Sequence, residues 1–326
     1  MSGTRSVTAA RSVTGGPARH RSRLVRVAGL LAAGLVALTG CAGSNSSASS
    51  ASSASPGSSA SPASSASAAS AATGSTGAQT PSGAAQSGQP SGSGDRWRPA
   101  PGIGWQWQLT GRLDTSVDAP VYDVDLFTTP ASTVAQLHAL GRKVICYVNV
   151  GAAEDFRADH SRFPAAVLGA SNGWPGEKWL DVRRTDVIGP IMASRFDLCR
   201  QKGFDAVEPD NVDGYDNDPG FPLTAADQLT YNRFIAGLAH DRGLSVGLKN
   251  DLEQIPQLLP SFDFAVNEQC FEFAECHELS PFIAEGKAVF HTEYSGSTRD
   301  FCPRASLLKL SSLLKHLELD AWRQAC

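Results

Sequence analysis

The chain is expected to fold as a parallel (β/α)8 barrel behind an N-terminal leader. Three observations predict this. Short apolar runs of strand length alternate with helical patterns from Trp105 to the end of the chain. Acidic and amide residues collect at the C-terminal ends of those runs, the rim where barrels of this kind build their sites. A doubly wound sheet would usually carry a Gly-rich phosphate loop after its first strand, and none is present.

The leader differs in composition from the rest of the 326 residues. Residues 1–94 carry six of the 28 basic residues and none of the 32 acidic ones, so 95–326 hold 22 against 32, a net charge of −10. Arg19, Arg21, Arg23 and Arg26 precede an apolar stretch from Val27 to Leu38, followed by Leu38-Thr39-Gly40-Cys41. A positive n-region, a short apolar core and small residues before a cleavage point indicate a secretory signal, not a spanning helix. The tetrapeptide resembles the bacterial lipobox, which implies a signal peptide over 1–40, cleavage before Cys41 and a membrane lipid anchor on its sulfur. Residues 41–94 are almost entirely Ser, Ala, Gly, Pro, Thr and Gln, too polar to offset chain entropy by burial. They are expected to be a disordered tether with a reach of roughly 40 Å. The expected location is outside the cell, membrane-anchored or secreted. The acidic remainder makes a poor nucleic-acid binder, and a monomer is expected.

Six cysteines besides Cys41 fall in 95–326, and an even number in an exported domain suggests disulfides. Of the fifteen possible pairings we favour Cys146–Cys199, Cys270–Cys276 and Cys302–Cys326. Zinc is disfavoured because there is no CxxC pair and the histidines are scattered.

Strands are expected at 104–109, 120–126, 143–149, 204–210, 244–250, 262–269, 287–293 and 318–323. Helices are expected at 131–140, 186–201, 224–241, 252–258, 278–285 and 304–316. Gly141, Gly203, Gly243 and Gly286 mark helix ends, and Thr224 with Asp227 forms a capping-box start. The stretch 150–185, rich in Trp, Pro and Gly, is an insertion after the third strand.

The acids carry the chemistry. Glu208 and Asp210 are two apart on one strand, so both side chains share a face and repel, which raises one pKa. Glu268 follows Phe264 and Val266 in the same phase and points inward. Asp123 and Asp125 share a face of the second strand, while Lys249 is a structural partner for either acid of the fourth. His291 fits a core histidine better than a catalyst, and one of Trp174 and Trp179 is expected to stack on a sugar. Inward carboxylates on different strands, with no metal cluster and no nucleotide loop, point to two-carboxylate glycoside hydrolysis. An exported acidic site suits a cationic polymer such as an amino sugar with free amines.

Six ordered segments then become recognisable: YDVDLF (122–127), WPGEKWLDVR (174–183), KGFDAVEPDNVDGY (202–215), VGLKND (246–251), NEQC (267–270) and KAVFHTEY (287–294). Together they resemble glycoside hydrolase family 114, the (β/α)8 endo-α-1,4-polygalactosaminidases, over roughly 103–326. The resemblance implies hydrolysis of α-1,4-linked galactosamine polymer without metal or cofactor, with the catalytic carboxylates at Asp210 and Glu268. By analogy with barrel α-galactosidases, Asp210 on strand four is assigned as nucleophile and Glu268 on strand six as acid/base, a retaining pair. Asp123, Asp125, Glu208, Asn250, Glu293 and Tyr294 are the expected substrate contacts. Two departures bear on outer subsites: Asn149 stands where a serine is expected, and 150–173 lacks an expected tryptophan. Competing readings are another or partly acetylated α-linked amino-sugar polymer, a non-catalytic carbohydrate-binding lipoprotein, and a metal-dependent deacetylase. The last would need a His/Asp metal cluster.

Overall fold

The computed structural model describes residues 96–326. The expected signal peptide 1–40, the tether 41–94 and Cys41 lie outside the described residues. Eight parallel strands follow one another: β1 (Trp105–Gln108), β2 (Val121–Asp125), β3 (Lys143–Asn149), β4 (Ala206–Asp210), β5 (Ser245–Lys249), β6 (Phe264–Glu268), β7 (Val289–Glu293) and β8 (Ser311–Lys315). Each pairs in parallel with the next in sequence. A short β9 (Arg323–Ala325) runs antiparallel on β8. The seam between β8 and β1 is sealed by this returning segment: Leu109 and Thr110 N–H donate to Leu319 O at 2.9 and 3.2 Å, and Arg323 donates to Trp105 O. The result is a nearly closed nine-stranded barrel.

The helices are α1 (Ala131–Ala139), α2 (Thr185–Lys202), α3 (Ala225–His240), α4 (Ile255–Leu258), α5 (Ser280–Ala284) and α6 (Thr298–Leu307). The capping box at Thr224 is present with both reciprocal hydrogen bonds. Gly141, Gly203, Gly243 and Gly286 all take positive φ, between 72° and 89°.

The last quarter of the chain corrects the sequence assignment. The eighth strand is Ser311–Lys315, not 318–323, and the helix expected over 304–316 is α6, which ends at Leu307. Leu307, Leu310, Leu314 and Leu317 recur at helical spacing, so periodicity favours helix there. Tertiary pairing overrides it: β7 offers an open edge, and Phe290 to Glu293 take Ser311 to Leu314 as partners.

Two apolar layers result from strand alternation. Inside lie Trp105, Trp107, Val121, Ile145, Ala206, Phe264, Val266, Phe290 and Leu313. Outside, Tyr122, Val124, Val144, Val148, Val246, Leu248 and Val289 pack under the helices. Because both faces of each strand are apolar, the strands read as continuous hydrophobic runs.

The three expected disulfides form, with Cα–Cα distances of 6.1 Å for Cys146–Cys199, 4.7 Å for Cys270–Cys276 and 5.2 Å for Cys302–Cys326. The first ties β3 to its covering helix α2, and the last ties the chain end to α6. The insertion after β3 folds into its own antiparallel sheet of Ala152–Glu154, Glu177–Leu180 and Leu168–Ser171. Val150 and Gly151 N–H donate to Asp210 O at 3.1 Å, which presses Gly151 against Asn211. A Cβ there would sit 1.6 Å from Asn211 O, so no larger residue fits.

Candidate active site

Strand parity decides which acids enter the barrel. Asp123 and Asp125 on β2 follow inward Val121, Glu208 and Asp210 on β4 follow inward Ala206, and Glu268 on β6 follows inward Phe264 and Val266. From β3, Tyr147 and Asn149 follow Ile145 inward, and Lys249 comes from β5. On β7 the inward phase belongs to Phe290, Thr292 and Tyr294, which places His291 and Glu293 on the outer face.

Lys249 is the hub. Its Nζ lies 2.9 Å from Asp210 Oδ1, 3.2 Å from Glu208 Oε1 and 3.3 Å from Glu268 Oε2, and 4.9 Å above the Trp107 ring. Asp210 and Glu268 are held in parallel fashion. Tyr147 donates to Asp210 Oδ2 at 2.7 Å and Asn211 Nδ2 to the same oxygen at 3.2 Å. Tyr294 donates to Glu268 Oε1, and Asn250 Nδ2 to Oε2 at 3.1 Å. Asn211, Asn250 and Gln269 each follow the charged residue of their strand and each adopts left-handed φ, at 62°, 48° and 62°. Such φ costs a non-glycine residue free energy and concentrates at functional sites. Asparagine tolerates it best, so Asp-Asn and Lys-Asn at strand ends are a signal that the sequence already carries.

Exposure sorts the four carboxylates about the lysine. The Asp210 and Glu268 side chains are 19% and 23% exposed, whereas Asp123 and Glu208 are fully buried. Only the first two are open to solvent. Burial pushes Asp123 well above the usual carboxylate range, and neighbouring Glu208 pushes it further. Burial raises Glu208 to about 7, with Lys249 pulling against it. Neither Asp123 oxygen receives an N–H or O–H donor, so its partner is Glu208, and the pair holds a proton between two acids. Burial also works to raise Asp210, but Lys249 and the Tyr147 hydroxyl outweigh it and hold Asp210 below its ordinary value.

Two expected contacts are engaged elsewhere. Asp125 takes a bidentate pair from Arg157 at 3.0 and 2.6 Å and caps the backbone at Phe127 and Thr128. Arg157 also binds Glu154, which anchors the insertion to the rim. Glu293 Oε1 accepts from Phe271 N–H at 2.8 Å and meets His291 Nε2 at 2.9 Å, bracing the Cys270–Cys276 loop behind Glu268. Cys270, Cys276 and His291 come close enough to hold a metal because β6 and β7 are neighbours. Both sulfurs are, however, joined in the disulfide. Of the two tryptophans, Trp179 is buried at 6% against Gly214, while Trp174 is 41% exposed on the insertion rim.

Sequence reasoning missed Glu177. Its Oε2 accepts from Asn149 Nδ2 at 3.1 Å and Asn172 Nδ2 at 2.8 Å. Burial raises it to about 7, and the Asp210 and Glu154 charges add to that. Its position in the recognisable WPGEKW segment was the available signal.

A barrel with two part-exposed carboxylates around one lysine at its C-terminal rim is the site of an acid–base hydrolase acting on glycosides. Residues 86–326 match glycoside-hydrolase family GH114, and the chain belongs to that family. It is a glycoside hydrolase. The crystal structure of Aspergillus fumigatus Ega3 in complex with galactosamine is similar to it, at 41% identity and a TM-score of 0.68, covering 71% of this chain and 98% of that one. The glycoside hydrolase domain of PelA from Pseudomonas aeruginosa shares the fold at 13% identity and a TM-score of 0.56, covering 68% of this chain and 98% of that domain. An uncharacterized protein of Deinococcus radiodurans is 30% identical over 224 residues, covering 59% of this chain and 72% of its own.

Proposed function

We propose that the protein is an exported, endo-acting hydrolase of α-1,4-linked galactosamine polymer that works by a retaining two-carboxylate mechanism. The observation that carries this reading is the shared lysine. Asp210 and Glu268 are the only two of the central carboxylates open to a substrate, and they bind the same ammonium at 2.9 and 3.3 Å. Their nearest oxygens are therefore no further apart than those two distances laid end to end. Such closeness supports the roughly 5–5.5 Å spacing of a retaining pair over the roughly 6.5–9.5 Å between carboxyl groups that leaves room for an inverting water. The substrate class is supported by the likeness to Ega3, whose crystal holds galactosamine.

In this mechanism Asp210, kept ionised by Lys249 and Tyr147, attacks the anomeric carbon. Glu268 gives its proton to the glycosidic oxygen as that C–O bond breaks. The product is a glycosyl ester on Asp210 and a released chain end. Glu268, now a carboxylate steered by Tyr294 and Asn250, takes a proton from water, whose oxygen displaces Asp210 and restores both acids. Lys249 holds the two acids at a common distance, and Trp174 offers an exposed ring face to a neighbouring sugar.

Export rests on the leader and on a lipid at Cys41. Among the described residues no helix is long and apolar enough to cross a membrane. Cys41→Ser is expected to move the protein from the membrane fraction to the medium or the soluble fraction; unchanged membrane association overturns the anchor.

The direct test incubates the full chain with de-N-acetylated α-1,4-galactosamine polymer and reads products by mass spectrometry, with Asp210→Asn and Glu268→Gln alongside. Short oligomers from wild type, and a loss of at least about 10³-fold in either variant, are expected. Full activity in either variant would move the chemistry to another acid. Anomeric NMR of the first product separates retention from inversion.

A further inference from the structure

Among the described residues no cation forms an ion pair with the rim carboxylate Glu177, although Arg157 acts on it from a distance. The carboxylate sits on Glu177–Leu180 of the insertion, directly opposite Glu154 in the antiparallel ladder. Two asparagine amides converge on its Oε2 at 3.1 and 2.8 Å. Among the described residues none donates to Oε1. Amides orient a carboxylate but do not neutralise it. The cation that acts on it, Arg157, is already committed to Asp125 and Glu154. Burial and the charges of Asp210 and Glu154 leave Glu177 ionising only near 7, where a cation placed beside it would be strongly favoured.

Position supplies the cation. Asn149, one of the two amide donors, is the β3 residue in register with Asp210 on β4. The carboxylate it orients is therefore one amide removed from the strand position beside the group assigned as nucleophile, close enough for the Asp210 charge to act on it. A 2-amino sugar attacked at its anomeric carbon carries its ammonium on the adjacent carbon, within a few ångströms of the attacking oxygen. The other acids expected to contact the substrate are buried or engaged elsewhere. Asp123 and Glu208 are fully buried, Asp125 is held by Arg157, and Glu293 faces outward. Trp174 lies on the same turn: its N–H donates to Asn172 Oδ1 at 3.1 Å and its carbonyl accepts from Glu177 N–H at 3.2 Å. One short segment thus presents an exposed ring and an unneutralised carboxylate together.

We propose that Glu177 is the specificity-determining residue of the site, its Oε1 receiving the 2-ammonium of the galactosamine unit bound beside Asp210. This rests on the galactosamine reading above. It assigns amine recognition to the insertion and leaves bond cleavage to Asp210 and Glu268.

The test compares the full-length wild type and Glu177→Gln on free-amine polymer and on the same polymer after chemical N-acetylation. Glutamine keeps an oxygen for both asparagine amides, so the local fold is preserved. The expected result is a fall of about ten- to a hundredfold in kcat/KM on free-amine polymer, the range of a lost charge-assisted hydrogen bond, with activity on acetylated polymer unchanged or higher. An equal fall on both polymers would make Glu177 a structural residue, and no fall on either would make it a bystander; both overturn the proposal. Calorimetric binding of free-amine and acetylated oligomers to Asp210→Asn, with and without Glu177→Gln, reads the same preference without turnover. There the preference for the amine should vanish with Glu177. Wild type that neither cleaves nor binds free-amine chains would instead remove the galactosamine reading itself, which separates the two failures.

Discussion

Lys249 donates to Asp210 at 2.9 Å from within the barrel, and it leads the contacts that reverse what burial alone would do to the acid. Burial favours the neutral carboxyl, while the ammonium and the Tyr147 hydroxyl favour the carboxylate, and the second influence prevails. Lys249 is in turn held charged. Burial disfavours its ammonium, but Asp210, Glu268 and Glu208 raise it well above its ordinary value.

Removing the lysine charge should therefore shift the acid limb of the pH–rate profile. In Lys249→Met the Asp210 carboxyl loses its main anionic stabiliser, its pKa rises, and less of it is ionised at any given acidic pH. The acid limb of kcat/KM is expected to move to higher pH, with at least about a hundredfold loss at its optimum. Tyr147→Phe should move the limb the same way by a smaller step and lose about tenfold. A limb that stays in place in both variants would dissociate Asp210 ionisation from the rate. Thermal melts run alongside report whether the buried acids left unpaired by Lys249→Met cost folding as well.

Asp125 and Asp210 should part company in a stability assay. Asp125→Ala leaves Arg157 without its bidentate partner near the barrel rim, and breaking such a buried pair costs about 3–5 kcal/mol. A lowered Tm with kcat per folded molecule within a few-fold of wild type is expected. A large fall in kcat at unchanged Tm would place Asp125 against the substrate instead.

The Asp123–Glu208 pair makes a prediction about pH and stability. Both acids have folded pKa values raised above the usual carboxylate value of about 4, Glu208 to about 7 and Asp123 well upward. The folded state then binds more protons than the unfolded chain, so stability falls as pH rises from about 4 through 7. Asp123→Asn mimics the protonated acid and removes one titrating group. Its Tm is expected to change little at pH 5 and to exceed that of wild type at pH 8. A wild-type profile that climbs over this range, or an Asn variant with the same slope, would contradict the shared proton.

Closure at β8 depends on the chain end. Cys302→Ser opens the Cys302–Cys326 loop of 24 residues, which in the chain-entropy picture is worth about 3 kcal/mol. The chain end carries β9, whose Arg323 bonds Trp105 and whose preceding turn bonds Leu109 through Leu319 across the seam, so the loss should fall on the whole barrel. A drop in Tm, reproduced by mild reduction of the wild type, is expected from calorimetry. An unchanged melt would mean that the seam holds without the bridge.

Much of the architecture was legible from local chemistry. Strand and helix alternation, the glycine stops, the Thr224 cap, the insertion after β3 and the cysteine pairs all depend on near-neighbour patterns or on simple counting. Asp210 and Glu268 were legible too, because each lies two or four residues beyond an inward apolar residue on a strand with a clear phase. Glu293 was not. Val289 and Phe290 are both buried, on opposite faces, so hydrophobicity on β7 says nothing about which face is the lumen.

The sequence by itself determined the order of the barrel elements, the acids at the C-terminal ends of the strands, and the membership in a glycosidase family, because these rest on periodicity and on residue identity along one dimension. Tertiary structure decided what each acid meets. It set Lys249 between Asp210 and Glu268, gave Asp125 to Arg157, turned Glu293 outward, made Ser311–Lys315 a strand against a helical leucine phase, and joined Glu177 to Asn149, the strand neighbour of Asp210. Those outcomes depend on neighbours tens of residues away, whose charges and open strand edges act through space, and linear spacing carries no record of them.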